Sequence, residues 1–302
     1  MRRNADLAAD YARRNQVPRW YDDADELIND PDVDAVYVAT PPDSHREYAV
    51  RVARAGKPVY VEKPMARTAP ECEEMISACD QAGVDLFVAY YRRAMPRFVT
   101  VKEILDGGRI GALRSVSIRN ERPAPLGAGD EGWRVDPEIS GGGHFVDLGS
   151  HTLDLLDWLL GPVTYAAGVA TNRGGRYRAE DLVTGVFEFA SGVEGVGTWN
   201  FDSFQAKDEI EIIGTAGELH FSCFAEDPLR LLTARGEEHI SAPYPETVQL
   251  PLIQAVVDAL TGHGTSPSTG ATAVRTSRVI DGLLADYRSR SVPGEELDKP
   301  TQ

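Results

Sequence analysis

Ser140-Gly141-Gly142-Gly143-His144-Phe145-Val146-Asp147-Leu148-Gly149-Ser150-His151 is the stretch on which the reading of this chain turns. The run of glycines ends one structural state, and a helix is expected from Gly143 to Leu160, stopped by Gly161-Pro162. Phe145, Val146, Leu148, Leu153, Leu155, Leu156, Trp158 and Leu159 make it apolar round much of its circumference, as in a buried helix. Its polar exceptions, His144, Asp147, His151 and Asp154, stand at i, i+3, i+7 and i+10, one stripe at helical period. Ionisable groups on a buried helix need partners or a cavity, so the stripe is expected to line a site. On these residues alone it reads as a solvated face, as a metal set from His144, Asp147 and His151, or as an acid–base pair. In the pair, His151 moves a proton and Asp147 orients it or the substrate. The glycines favour close approach of backbone to a ligand.

Upstream, strands and helices alternate. Short helices are expected over Asp6–Asn15 and Asp23–Asn29, with an extended piece over Val17–Tyr21 between them. Val33–Thr40 is a near-continuous apolar run ending in Pro41-Pro42, the pattern of a parallel strand buried on both faces. A helix over Ser44–Ala55, stopped by Gly56, leads to a second such strand, Val59–Val61, followed at once by Glu62-Lys63-Pro64. Thr68 and Glu71 form a capping box, Cys72, Met75, Ile76 and Cys79 give the next helix its apolar face, and Gly83 stops it. Strand Asp85–Ala89 then ends at Tyr90-Tyr91-Arg92-Arg93. This alternation implies right-handed βαβ units on a parallel sheet. Ligands bind such sheets at the strands' carboxyl ends, which places Thr40, Pro41, Lys63 and Tyr90 along one rim.

Beyond Pro96 the texture changes. A helix over Arg97–Leu105 leads to an alternating strand with Val116 and Ile118. Further strands are expected over Val163–Thr171, Leu182–Phe189, Val193–Phe201, Glu209–Ile213 and Glu218–Phe221, with a hairpin at Ser191-Gly192. Helices near Leu250–Leu260 and Ala271–Tyr287 close the chain. The fold class is therefore α/β over residues 1–95, followed over 96–302 by an α+β domain with a large, mostly antiparallel, open-faced sheet.

Composition narrows the function. The formal net charge of −16 over 302 residues argues against a phosphate backbone as partner. It agrees with a soluble, cytoplasmic protein. No apolar run approaches the roughly 20 residues of a membrane span, and Met1-Arg2-Arg3-Asn4 leads into no apolar leader. Cys72, Cys79 and Cys223 have no metal spacing and read as reduced and structural. Gly127-Ala128-Gly129-Asp130-Glu131-Gly132 matches Gly-x-Gly-x-x-Gly, but Pro123 and Pro125 stand where a strand is needed. It is expected to be a loop.

Three linked motifs carry a resemblance. Ala39-Thr40-Pro41-Pro42-Asp43-Ser44-His45, then Ala55–Pro64, then Ser140–His151 resemble the glucose–fructose oxidoreductase/inositol dehydrogenase (Gfo/Idh/MocA) family, in order and over nearly the whole chain. Arg93 with Pro96, Trp133-Arg134 and Ile213–Gly217 agree with it. The resemblance implies a Rossmann-type first domain and an NAD(P)-dependent oxidoreductase acting on a hydroxyl or carbonyl of a sugar, cyclitol or related polar molecule. It implies His151 as general acid–base, Asp147 binding a substrate hydroxyl, and Lys63 polarising the reacting oxygen, with no metal. Thr40, Pro41, His45, Glu62, Lys63, Tyr90 and Arg134 become expected cofactor contacts. A homodimer or homotetramer pairing through the open sheet face is implied as well.

The chain departs from the family pattern at its front. The strand, glycine-rich turn, helix and second strand that open such a fold are absent from this sequence, so the expected Rossmann unit is partial. Arg2 and Arg3 occupy the turn that meets the adenosine ribose, where arginine accepts the 2′-phosphate of NADP and an acidic residue selects NAD. They favour NADP. Two hypotheses follow: an oxidoreductase whose natural chain starts earlier, or a cofactor-free relative that binds a sugar-like ligand or partner. Intact Lys63, Asp147 and His151 favour the first.

Overall fold

The structure, a computed structural model, describes residues 1, 4–124 and 132–290. Arg2 and Arg3 lie outside the described residues, as do Gly127 to Glu131 of the glycine-rich match.

Two sheets organise the molecule. The first takes strands β1 (Val36–Val38), β2 (Val59–Val61) and β3 (Leu86–Val88) in order β1-β2-β3, all parallel, with Val36 opposite Val59 and Val59 opposite Leu86. Helices α1 (Ala5–Arg14) and α2 (Ala24–Asn29) precede it, while α3 (His45–Arg54) and α4 (Ala69–Ala82) make the crossovers. α4 starts where Thr68 accepts the Glu71 N–H and stops at Gly83, whose φ of 66° suits a residue without Cβ. The capping box is shifted by one: the Glu71 carboxylate accepts the N–H of Arg67 at 3.1 Å.

The second sheet has eight strands in the order β11-β10-β9-β8-β4-β7-β6-β5. They are β4 (Leu113–Glu121), β5 (Val163–Thr171), β6 (Leu182–Phe189), β7 (Glu194–Asn200), β8 (Lys207–Gly214), β9 (Gly217–Phe221), β10 (Leu229–Thr233) and β11 (Gly236–Ile240). All neighbours are antiparallel except β4 and β7, which run parallel with Ser117 opposite Val196. Alternation sets the faces: Val116, Ile118, Val183, Trp199, Ile210 and Ile212 point into the core. Helices α5 (Pro96–Asp106), α7 (Ser150–Leu160) and α9 (Gly270–Arg290) cover that side, with the short α6 (Pro137–Ser140) preceding α7 in the chain. The other side is open, with Tyr165 58%, Val186 50% and Val196 47% exposed.

The C-terminal helices return to the first sheet. Leu252 and Val256 of α8 (Leu250–Leu260) pack on Tyr60, Phe87 and Ala89. Within α9, Ala273 and Val274 join the core of the parallel sheet, and Val279, Ile280, Leu283 and Leu284 join that of the larger one.

Several expectations are corrected. The strand expected over Val33–Thr40 pairs only from Val36 to Val38. β10 and β11 were not anticipated. Among the described residues β1 pairs on one side only, beside a groove of about 660 Å³ lined by Leu7, Leu27, Ile28, Val36, Val38 and Pro41.

Candidate active site

The site forms where the carboxyl end of β2 meets the turn before α7. Glu62 fixes the start of the lysine turn: its Oε2 accepts the Lys63 N–H at 3.0 Å, and Oε1 accepts from Tyr37 Oη and, at 3.2 Å, from Gln249 Nε2. Lys63 then reaches across to the turn that precedes α7. Its Nζ donates to Asp147 Oδ1 and, at 3.0 Å, to the Asp147 carbonyl. Arg134 Nε stands 3.6 Å from Asp147 Oδ2. An ammonium so held is a fixed charge half-sealed from water, where an ion pair is worth more than at an open surface.

Two expected cofactor contacts, His45 and Tyr90, lie buried beneath the rim. His45 is fully buried and bridges backbone, with Nε2 2.6 Å from the Thr40 carbonyl and Nδ1 3.1 Å from that of Pro64. It ties the loop after β1 to the loop after β2. Tyr90 is buried as well, its ring edge-on to His151. Thr40 and Pro41 remain partly open, at the mouth of the groove beside β1.

The expected stripe breaks up. Phe145–Gly149 forms a π-helical turn ahead of α7, so the helix does not keep one period from Gly143. Such single turns recur at functional sites because they re-aim side chains. His144 packs against Tyr177 and Phe201, Asp147 turns to Lys63, and Asp154 is locked to Arg93 by paired hydrogen bonds of 2.8 Å. Thr276 Oγ1 also donates to Asp154, at 3.3 Å, completing a buried structural cluster. His144, Asp147 and His151 therefore do not converge as a metal set. Among the described residues the metal-capable group gathered within 4.8 Å is Glu211, Glu218 and His220, on β8 and β9.

His151 is 4% exposed and stands edge-on to Tyr91, 5.2 Å between ring centres, and to Phe224, 6.1 Å. Burial, with the positive charges of Arg92 and Lys63, holds its pKa well below that of a free imidazole. The ring is thus a neutral base at pH 7. Sequence reasoning missed Arg92. Its guanidinium lies over the Tyr91 ring at 5.0 Å and the Phe224 ring at 4.6 Å, and Nε donates to the Cys223 carbonyl at 3.0 Å. The signal was present as two successive arginines after a buried strand, of which Arg93 is structural and Arg92 faces the histidine's aromatic cage.

This geometry has known counterparts. A family model described as "Oxidoreductase family, NAD-binding Rossmann fold" matches residues 1–90, and "GFO/IDH/MocA C-terminal domain" matches 98–220. "Oxidoreductase P35" of Formosa agariphila is 36% identical over 93% of this chain and 88% of its own. The chain belongs to the Gfo/Idh/MocA family. A second Gfo/Idh/MocA relative, the 1,5-anhydro-D-fructose reductase of Ensifer adhaerens, is 32% identical over 91% of this chain and 83% of its own. Aldose-aldose oxidoreductase from Caulobacter crescentus, solved with glycerol, superposes with a TM-score of 0.83 at 26% identity, over 95% of this chain and 88% of that one.

Gfo/Idh/MocA membership fixes the class: an NAD(P)-dependent dehydrogenase or reductase. It does not favour the cofactor-free alternative. Cys72, Cys79 and Cys223 are buried free thiols. Among the described residues, no helix is long and apolar enough to cross a membrane.

Proposed function

We propose that this enzyme interconverts a hydroxyl and a carbonyl on a sugar, cyclitol or related small polar molecule, with NADP preferred over NAD. The observation that carries the reading is Lys63 held against Asp147 beside a neutral, buried His151. Names among the relatives support the substrate class: 1,5-anhydro-D-fructose reductase and the myo-inositol 2-dehydrogenase of Thermotoga maritima.

The residues present fit a nicotinamide group. Thr40 and Pro41 follow β1 and Glu62 and Lys63 follow β2, at the carboxyl ends of adjacent parallel strands where such a sheet takes a nucleotide, and Lys63 is anchored there by Asp147. Thr40, Pro41, Glu62 and Lys63 would hold that group, and the bound nicotinamide supplies the hydride chemistry. Lys63 donates a hydrogen bond to the reacting oxygen and stabilises the negative charge that develops on it. Asp147 holds the ammonium in place and accepts from a neighbouring hydroxyl of the substrate. His151, neutral at pH 7, accepts the hydroxyl proton when the substrate is oxidised and returns it on reduction. Arg134, over the ring of Trp133 at 4.5 Å, borders the site beyond Asp147. Arg2 and Arg3 carry the NADP preference, through the 2′-phosphate. The open face of the eight-stranded sheet pairs subunits into a dimer or tetramer.

The test is reduced-nicotinamide absorbance with each cofactor over a panel of aldoses, anhydro-sugars and cyclitols in the oxidising direction, and the matching ketones in reverse. Turnover of at least one panel member supports the reading. Absence of turnover throughout would overturn it.

A further inference from the structure

We infer that Glu180 is a positioning residue for the Lys63–Asp147 pair, acting through the peptide of Gly143. Glu180 lies between β5 and β6, is 1% exposed, and forms no ion pair among the described residues. Its Oε1 accepts the Gly143 N–H at 2.7 Å. The Gly143 carbonyl accepts from the N–H groups of Val146 at 3.1 Å and Asp147 at 3.3 Å. The Asp147 carbonyl in turn accepts from Lys63 Nζ and from Ser150 Oγ, each at 3.0 Å. One run of hydrogen bonds therefore leads from Glu180 through the π-helical turn to the reactive ammonium.

The glycines are what let Glu180 approach. A Cβ on Gly143 would lie 2.5 Å from the Glu180 carbonyl oxygen, and one on Gly142 3.0 Å from Oε1. Arg288 holds the other end of the turn, its Nη2 donating to the Gly141 carbonyl at 2.9 Å. Behind the turn is a cleft of about 370 Å³ shared by Glu180, Arg67, Glu71, Arg178, Tyr287 and Arg288. Arg67 there pairs with Glu71, Arg178 with Asp136 and Glu138, and Arg288 with Asp281, so none of these guanidiniums is given over to Glu180. Burial pushes the Glu180 carboxyl up to about 7, Asp181 adding to the rise and the Gly143 N–H and Arg288 opposing it. Ionised, it is a strong acceptor for Gly143; protonated, a weaker one.

The inference rests on the proposed role of Lys63 and Asp147, so its first readout needs no substrate. Hydrogen exchange by mass spectrometry over residues 140–151 is compared in wild type, Glu180→Gln and Glu180→Ala. Glu180→Ala should exchange about tenfold faster, the loss of one hydrogen bond to a charged acceptor, with Glu180→Gln near wild type. Corrected for intrinsic rates, wild-type protection should fall between about pH 6 and pH 8, the cost of burying the charge outweighing the stronger bond to Gly143, and that of Glu180→Gln should not. The second readout uses a substrate from the panel: kcat of Glu180→Ala falls about tenfold, KM for the cofactor stays unchanged, and Glu180→Gln recovers the rate. Unchanged exchange in Glu180→Ala overturns the inference whatever the substrate is. Should that variant not fold, a pH-independent wild-type profile does so.

Discussion

Lys63 Nζ lies 3.0 Å from the carbonyl oxygen of Asp147, a residue 84 positions further along the chain and on the other side of the cleft. The ammonium that belongs to the parallel sheet is therefore aimed by the helix of the antiparallel one.

Removing either of two side chains of the site should abolish chemistry without unfolding the protein. Lys63→Ala and His151→Ala are each expected to lower kcat by about 10²–10⁴, with circular dichroism and melting close to wild type. A near-normal kcat in either variant removes that residue from the mechanism.

The pH profile follows from the direction of the histidine shift. His151 is depressed below the ordinary imidazole value, so it stays a base under mildly acid conditions. The acid limb of kcat/KM for oxidation should fall well below the usual imidazole range. Glu180 titrates nearer neutrality, and any limb at about pH 7 should disappear in Glu180→Gln. A limb near neutrality that survives in that variant argues against a neutral His151.

Stability should move the opposite way to the usual carboxylate case. Glu180 is raised from 4.5 to about 7, so the folded state binds its proton more tightly than the unfolded state does. The contribution is present below the unfolded value and is lost as pH rises through about 7. Glu180→Gln should therefore be more stable than wild type above pH 7, by about 1–3 kcal/mol, and no more stable at pH 4. Equal melting curves at pH 8 would contradict the assignment.

Cofactor choice tests the amino-terminal arginines. NADPH should bind more tightly than NADH, and replacing Arg2 and Arg3 together by serine should weaken NADPH by about tenfold or more while barely affecting NADH. Fluorescence titration reads both affinities, and equal affinities in the unaltered protein would remove the role given to these arginines.

The open sheet face makes the last test. Val186→Glu with Val196→Glu places charge on exposed apolar positions of adjacent strands. Light scattering should show a homo-oligomer before and a smaller species after. A monomer from the start would contradict pairing through this face.

Much of this was legible in the sequence, for local reasons. Val59–Val61 and Leu250–Leu260 have the bounds their apolar runs imply, and Lys63 was marked by its place after a buried strand. The π-helical turn was not legible. Gly149 permits it by leaving room for Phe145, since a Cβ there would lie 2.6 Å from the Phe145 ring, yet an apolar helix reads the same with one residue more in the turn. The parallel pairing of β4 with β7 was hidden too, because the partners are distant in sequence and alternation fixes faces but not neighbours. Arg92 and Arg93 are chemically alike, and only the fold decides which of them meets Asp154.

The 21-residue helix α9 acts as a splint across the two halves of the molecule. Its first turns are anchored by Ala273 and Val274 in one core and its later turns by Leu283 and Leu284 in the other. Swinging the halves apart would strip one of those rows into water, at about 1.5–3 kcal/mol for each large side chain exposed. The same helix thus ties the two sheets together, and parting them carries that cost in full.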